Sequence, residues 1–411
     1  MDILLVLDNL SGKCGANVKI ALELAEEWST HGNRIYCLTR IDNERQVDHE
    51  KEKYVDEIFT FVAQEDYDLT LFIKNNEWNK LRNLKKIQLM IFNPMIFLKM
   101  MDKKFFASSA IRKRYKTNIK KVCFENRIDA VVAVTEPFYI AMALSSAKIR
   151  AYKYWIMLDP YTNNSALPNY LKIIRKIWEK KVFRRMEKVF ALDFVWRDID
   201  YLNRNLLKKA YAFHLPKIAV GQESLMIKPK SEKNEIVFAY IGQFYNNIRN
   251  PEFMLQLFSK LPSNYYLYIY GGGSEEIVDK YKVILGKRLV CFGWVNSDMA
   301  ERALDNADIL VNLNNSVSNL LPSKLLEYIN TGKPLLNISK IAECPSLEYT
   351  NKYPLCLNIC ESRITEEMID SVVKFTKDTY KKVVAHKEIE KLYSDCTCQF
   401  ISKDILNYIV K

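Results

Sequence analysis

The sequence predicts two open α/β domains in one chain, and three observations carry that prediction. Short apolar runs alternate with longer amphipathic stretches in both halves; each run ends in a glycine-bearing or polar loop; and a polar junction near residue 218 separates the two series. A length of 411 residues suits two domains of roughly 200 residues each.

In the first half, residues 2–8 (DILLVLD) read as a strand. The turn Ser11-Gly12-Lys13-Cys14-Gly15 follows, then a helix over 16–31 that Gly32 and Asn33 stop. Residues 34–40 supply a second strand and complete a βαβ beginning. Further units are a strand over 130–135, a helix over 137–147 and a strand over 152–158 ending at Asp159. Their apolar runs do not alternate, as expected of strands covered on both faces. Between them, residues 44–128 show helical stretches near 75–84 and 108–127, and residues 199–212 also read as helical. The boundary near 218 gives a first domain of 1–218.

The second domain, 219–390, repeats the pattern. Its strands are expected over 236–242, 265–270, 289–292, 309–313 and 335–338, with helices over 251–261, 275–285, 299–306 and 322–331. The third of these helices precedes an A-D-I-L-V strand; the fourth is stopped by Gly332. Helical stretches over 365–392 and 402–410 close the sequence, and residues 391–411 are expected to pack back on the first domain.

A hydrophobic fraction of 49% with 27% charged residues excludes a disordered or fibrous protein. The nine cysteines show no short-chain disulfide framework, and the first residues enter a strand pattern rather than a secretion signal, so a reducing cytoplasm is the expected setting. The net charge of +12 is unevenly placed: residues 1–218 hold 38 Lys and Arg against 26 Asp and Glu, whereas residues 219–411 hold 23 of each. Residues 99–121 contain nine basic residues and one acidic, and residues 172–188 contain eight and two. Such focused charge faces nucleic acid, an anionic bilayer or an anionic substrate. No recognised nucleic-acid module accompanies it, so no nucleic acid is expected. The apolar run 89–98 is broken by Asn93 and Pro94 and too short to span a bilayer. Along 172–189, Ile174, Ile177, Trp178, Val182, Met186 and Val189 form an apolar stripe edged by Lys172, Arg175, Lys176, Lys180, Arg184 and Lys188. That is the pattern of a basic amphipathic helix.

Ligands of open α/β sheets bind beyond the carboxyl ends of the strands. That rule selects the loop from Asn9 to Gly15, Glu136 and Asp159 in the first domain. In the second it selects 243–249, Gly271 to Gly273, 294–296 and 312–323. Gly12 and Gly15 either admit a sugar or phosphate to the backbone or simply form a tight turn; the spacing matches neither dinucleotide nor ATP phosphate-loop signatures. Glu136 before Pro137 and Asp159 each face a catalytic or a helix-opening reading. The strongest constellation is N-L-L-P-S-K-L-L-E-Y-I-N-T-G-K-P over 319–334. Its Asn319, Ser323 and Glu327 recur every four residues, which puts Ser323 and Glu327 on one helix face with Asn319 just before it. Glu327 there suits acceptance from ribose hydroxyls, and the helix N–H groups suit a diphosphate. The four histidines are dispersed, and no zinc-type cysteine pairing or D-x-D element points to a metal.

This region resembles family-4 glycosyltransferases of the GT-B fold, especially bacterial enzymes of capsule, exopolysaccharide and O-antigen assembly. The resemblance rests on P-S-K-x-x-E-Y-x-x-x-G-K-P after A-D-I-x-V, and extends to Tyr240-Ile241-Gly242 with Arg249-Asn250, to Ile269 through Gly273, and to Phe292-Gly293-Trp294-Val295. It implies two Rossmann-like domains facing across a cleft, with the acceptor in the first and a nucleotide diphosphate sugar in the second. It implies retaining, metal-independent transfer with Asp159, Arg249 and Glu327 in catalytic positions. Donor contacts are implied for Gly12, Gly15, Gln243, Arg249, Gly272, Gly273, Trp294, Val295, Asn319, Leu321, Ser323, Lys324 and Glu327, and acceptor-side contacts for Glu136 and Asp159. Asn319 stands where the family often has a first glutamate, and Gln243 where it often has Arg or Lys. The basic, partly apolar first domain suits a lipid-linked saccharide acceptor and an anionic membrane surface, hence a peripheral enzyme on the cytoplasmic face. Rival readings are a nucleotide-sugar epimerase of similar fold, a basic nucleic-acid-binding protein and a noncatalytic sugar-binding module.

Overall fold

In the computed structural model of the protein, the described residues are 1–8, 10, 16–41, 53–63, 67–94, 109–135, 137–159, 161–162, 169–199, 201–221 and 235–409. They form two units, Met1–His214 with Cys398–Lys411, and Leu215–Thr397.

The first unit is built on seven strands: β1 (Asp2–Asp8), β2 (Arg34–Ile41), β3 (Glu57–Val62), β4 (Ala130–Thr135), β5 (Tyr152–Met157), β6 (Lys188–Leu192) and β7 (Ala210–Phe213). All pair in parallel, in the order β3-β2-β1-β4-β5-β6-β7. The central β1 and β4 are buried along nearly their whole length, which is why their sequences are unbroken apolar runs. Helix Ala16–Thr30 buries Leu22, Leu24, Ala25 and Trp28, and Gly32, at a φ of 78°, ends it in the left-handed region. Against it lies the C-terminal helix Cys398–Ile409, where Trp28 Nε1 donates to Ser402 O at 3.2 Å and Ser402 Oγ donates to Leu24 O at 3.1 Å.

The second unit carries six parallel strands, β8 (Ile236–Ile241), β9 (Tyr265–Tyr270), β10 (Leu289–Gly293), β11 (Ile309–Leu313), β12 (Leu335–Ser339) and β13 (Cys356–Cys360), in the order β10-β9-β8-β11-β12-β13. Its core gathers Phe238, Phe258, Leu267, Ile309, Val311 and Leu336. Within that apolar sheet, Asn312, Asn337 and Asn358 stand in register across β11, β12 and β13 and bond side chain to side chain. Asn312 Nδ2 donates to Asn337 Oδ1 at 2.7 Å and Asn337 Nδ2 to Asn358 Oδ1 at 2.8 Å. Asn314 joins the ladder, donating to Asn337 Oδ1 at 2.7 Å. Asn312, Asn314 and Asn337 are buried, and buried amides are tolerated only when paired.

The structure corrects the sequence reading in several places. β3 lies in the stretch read without strands. The helix Asn169–Arg184 ends before Lys188, so Val189 belongs to β6; and Ala210–Phe213, read as helical, is the edge strand β7. β13 is an added strand, and the stretch 365–392 is two helices, Glu366–Thr379 and His386–Leu392.

The amphipathic stripe holds at Val182 and Met186, which are buried, but not at Ile174 and Ile177, which are exposed. Arg175 and Glu179 face inward at 6% and 1% exposure, while Ile173 and Ile177 stand 64% and 63% exposed. Thr162 and Tyr201 hydroxyls donate to Glu179, and Arg175 donates to Tyr161 O at 3.3 Å while stacking over the Tyr161 ring. Inward ionic groups thus displace two isoleucines from the core face, because each has polar partners waiting there.

Candidate functional site

The strand order of each sheet reverses between its first strand and the strand that crosses over, β1 and β4 in one unit and β8 and β11 in the other. Those are the switch points at which open α/β sheets bind ligands. In the second unit the loops after β8 and β11 meet there. The loop after β8 folds back on itself: Tyr245 N donates to Arg249 O at 3.1 Å and Arg249 N to Tyr245 O at 2.7 Å. It is fastened to the loop after β11 by Ser316, whose N donates to Ile248 O at 2.6 Å and whose Oγ donates to Asn247 O at 3.0 Å.

This folding sets the Arg249 guanidinium on Asn315. Nε and Nη2 both donate to Asn315 Oδ1, at 3.1 and 2.9 Å, and Nη1 reaches Gln243 O at 3.5 Å. Asn315 in turn donates from Nδ2 to Leu320 O at 2.9 Å. Gln243 takes a hydrogen bond on Oε1 from the Tyr245 hydroxyl at 2.6 Å, and its carbonyl accepts from Tyr240 at 3.2 Å. Among the described residues Arg249 forms no ion pair. Asn315 is the participant the sequence reading did not single out. Its visible signal was the amide pair Asn314-Asn315 immediately beyond β11 at the switch point.

The helix Lys324–Asn330 begins one residue after the exposed Ser323. Lys324 Nζ and Glu327 Oε2 pair at 2.5 Å, each side chain about a third exposed. Tyr328 is buried and locks the helix beneath β8, accepting from Ile241 N and donating to Ile241 O, both at 3.0 Å. Burial raises its pKa most; Glu327 pushes it further up and Arg249 pulls it down. Asn319 and Leu321, just before the helix, are buried. Lys333 serves the fold instead of the site. Its Nζ donates to Leu304 O, Asp305 O and Ala307 O at 2.7, 2.6 and 2.8 Å, capping the helix Ser297–Asn306.

The three-glycine turn after β9 packs backbone on backbone. A Cβ on Gly271 would stand 1.9 Å from Gly242 O, and one on Gly273 would stand 2.4 Å from Phe244 O. Gly272 lies against the indole of Trp294, itself 71% exposed, with Val295 half-buried beside it. The structure therefore brings Gly272, Gly273 and Trp294 up to the loop that carries Gln243.

In the first unit, Gly12, Gly15 and Glu136 lie outside the described residues. Asp159, after β5, is half-buried, and Asn17 Nδ2 donates to its Oδ2 at 2.6 Å. Burial raises the Asp159 pKa, and the Asn17 hydrogen bond opposes that rise. A second cluster surrounds Asp8 at the end of β1. It accepts from Arg40 Nε at 3.1 Å, from the Tyr115 hydroxyl at 2.9 Å and from the Tyr139 hydroxyl at 2.6 Å.

No family profile matches the sequence, and no curated protein matches it by sequence. Solved structures do match by shape. The lipopolysaccharide outer core galactosyltransferase WaaB, in its apo form, superposes with a TM-score of 0.60 at 13% identity, covering 100% of this chain and 99% of its own. HepE of Anabaena, solved in complex with UDP, gives 0.63 at 13% identity with both chains covered fully. A glycosyltransferase of Rickettsia africae gives 0.63 at 12% identity, covering 100% and 98%.

The fold is GT-B. In this GT-B chain, the seven- and six-stranded parallel sheets are its two Rossmann-like halves, as the sequence predicts. HepE has also been solved with UDP-glucose. Among the described residues, no helix is long and apolar enough to cross a membrane.

Proposed function

We propose that the protein is a glycosyltransferase that moves a sugar from a nucleotide diphosphate sugar to a hydroxyl, with retention at the anomeric carbon and without a metal. The observation that carries this reading is the Arg249 cation held at the β8/β11 switch point, with no carboxylate on it among the described residues and with Glu327 on the helix that Tyr328 fastens to the end of β8. Arg249 meets the diphosphate, and Glu327, released from Lys324, accepts from the ribose hydroxyls. The sugar–phosphate bond breaks, negative charge grows on the leaving diphosphate beside Arg249, and a leaving phosphate oxygen takes the proton of the attacking hydroxyl. Gln243, Gly272, Gly273, Trp294, Val295, Asn319, Leu321, Ser323 and Lys324 belong to the donor side. Gly12 and Gly15 join them on the donor side, and Asp159 with Glu136 belongs to the acceptor side. The GT-B fold and the nucleotide found in the HepE complexes support the reading.

The acceptor we assign is a lipid-linked saccharide at the cytoplasmic face of a membrane, extended for capsule, exopolysaccharide or O-antigen assembly. Support comes from the first 218 residues, which carry the whole surplus of positive charge, and from exposed Ile173 and Ile177 beside Lys172, Lys176 and Lys180. Leu84, Ile91 and Phe92 are exposed on the helix Asn83–Phe92 of the same unit. Each basic residue near an anionic surface contributes on the order of 1 kcal/mol, less as salt rises.

The test is a mass-spectrometric screen of nucleotide sugars with lipid-linked acceptors. It expects one donor to yield an extended, anomerically retained product, and Glu327→Ala to weaken donor binding. Release of no nucleoside diphosphate from any donor defeats the transferase reading; donor isomerisation without acceptor points to an epimerase. Flotation with anionic and neutral vesicles checks the surface. Ile173→Glu with Ile177→Glu should reduce recovery with anionic vesicles, and no difference between vesicle types removes the membrane assignment.

A further inference from the structure

We propose that Asn315 is a positioning residue for Arg249, a neutral acceptor that fixes the guanidinium while leaving its whole charge for a diphosphate. The inference rests on the donor-binding reading above and adds the residue on which the strength of that binding depends.

One oxygen, Asn315 Oδ1, receives both Nε and Nη2 of Arg249, so the plane of the guanidinium is set by a single atom. The amide cannot turn over. Its Nδ2 is committed to Leu320 O at 2.9 Å, and a flipped amide would set two N–H donors against the donors of Arg249. Asn315 is 6% exposed, so its amide oxygen is largely shielded from water. Arginine has five N–H donors, and those that Asn315, Gln243 O and the Tyr240 hydroxyl do not take remain for a ligand. A carboxylate at 315 would hold the side chain as well but would cancel its charge. The amide supplies the geometry without the neutralisation, which is what an anionic ligand at the switch point requires. Glu327, the nearest acid in the motif, is paired with Lys324 instead.

A double-mutant cycle read by calorimetry tests this. UDP, GDP, ADP and dTDP are titrated into the wild-type protein; the diphosphate that binds and its uncharged nucleoside are then titrated into R249A, N315L, N315D and R249A/N315L. Asn315→Leu should weaken the diphosphate about five- to tenfold, the weight of one rotamer-rich side chain left unordered. The same change in the R249A background should alter affinity less than about twofold, because its partner is gone. Asn315→Asp should weaken binding at least as much as N315L. Nucleoside affinity should stay constant throughout, which separates positioning of the cation from damage to the fold.

Equal losses from N315L in both backgrounds, wild-type affinity in N315D, or a parallel fall in nucleoside affinity would each overturn the role of Asn315 while leaving the donor site standing. Binding of no diphosphate to the wild-type protein, or full binding to R249A, overturns the donor reading and this inference with it.

Discussion

The two sheets share a topology but treat the charge at their switch points in opposite ways. At the end of β1, Asp8 is saturated by Arg40, Tyr115 and Tyr139; cation and carboxylate cancel, and the side chains of the pair are only 17% and 14% exposed. At the end of β8 the chain departs through Gly242, and the arginine that returns to the strand end is held by an amide. One guanidinium is consumed in tying strands together, and the other is kept oriented and ionically unspent. A parallel sheet therefore does not dictate chemistry at its switch point. The partner given to the cation does.

Variants that break this contrast rank by expected effect. Asp8→Ala strands the Arg40 guanidinium in a half-closed site and should lower stability by about 3 kcal/mol, since removing one partner of a buried pair leaves the other uncompensated. Chemical denaturation followed as separate transitions would register it in the first unit alone. Arg249→Ala should do the converse. Stability changes by about 1 kcal/mol or less, whereas kcat/KM for transfer falls on the order of 100-fold, the usual cost of removing a donor aimed at developing charge. Parallel assays of melting and turnover on the two variants give the sharpest version of the comparison.

Lys333→Met tests a third cation, one inside the motif but given over to structure. Loss of its three carbonyl contacts should destabilise the second unit by about 2 kcal/mol without changing nucleotide affinity in the folded protein. The smallest effect is expected at Asp159, whose pKa is raised in the folded state by burial. A raised carboxyl pKa means that the native state binds the proton more tightly than the unfolded chain, so ionisation lowers stability as pH rises from the unfolded pKa through the folded one. Asp159→Asn should accordingly melt slightly higher than the wild type at pH 7. The gap should close as pH falls into the carboxylate range, and turnover should be lower in the variant. Melting curves at several pH values check the sign, and a variant that melts lower at neutral pH contradicts it.

Much of the fold was legible because central parallel strands announce themselves. β1, β4, β5, β8, β11 and β12 are short apolar runs ending in recognisable loops. Edge and near-edge strands were harder. β3 (EIFTFV) and β13 (CLNIC) are only partly covered, so their patterns blur, and β6 begins at Lys188, where the basic helical pattern before it was read as continuing. The inward-facing Arg175 and Glu179 were hidden for a different reason. Arg175 and Glu179 are drawn inward by Tyr161, Thr162 and Tyr201, which lie outside that helix, and a pattern that sorts residues by polarity alone assigns both to water. At the candidate site, spacing singles out Glu327, and the family resemblance points to Arg249 and Gln243. The role of Asn315 was not legible, because its partner lies 66 residues away and only the meeting of two loops joins them.

The first unit is discontinuous in sequence: the helix that covers Trp28 and Leu24 is Cys398–Ile409, and residues 215–397 are translated before it. At ~5–20 residues per second, the ribosome needs roughly 10–40 s to make that intervening stretch. For that interval the nascent chain carries a sheet with one helix face uncovered, including Trp28, one of the two tryptophans fully buried in that unit. Completion of the first half is thus timed by the synthesis of the second, and a stalled or truncated chain would present that face to chaperones rather than to its own terminus.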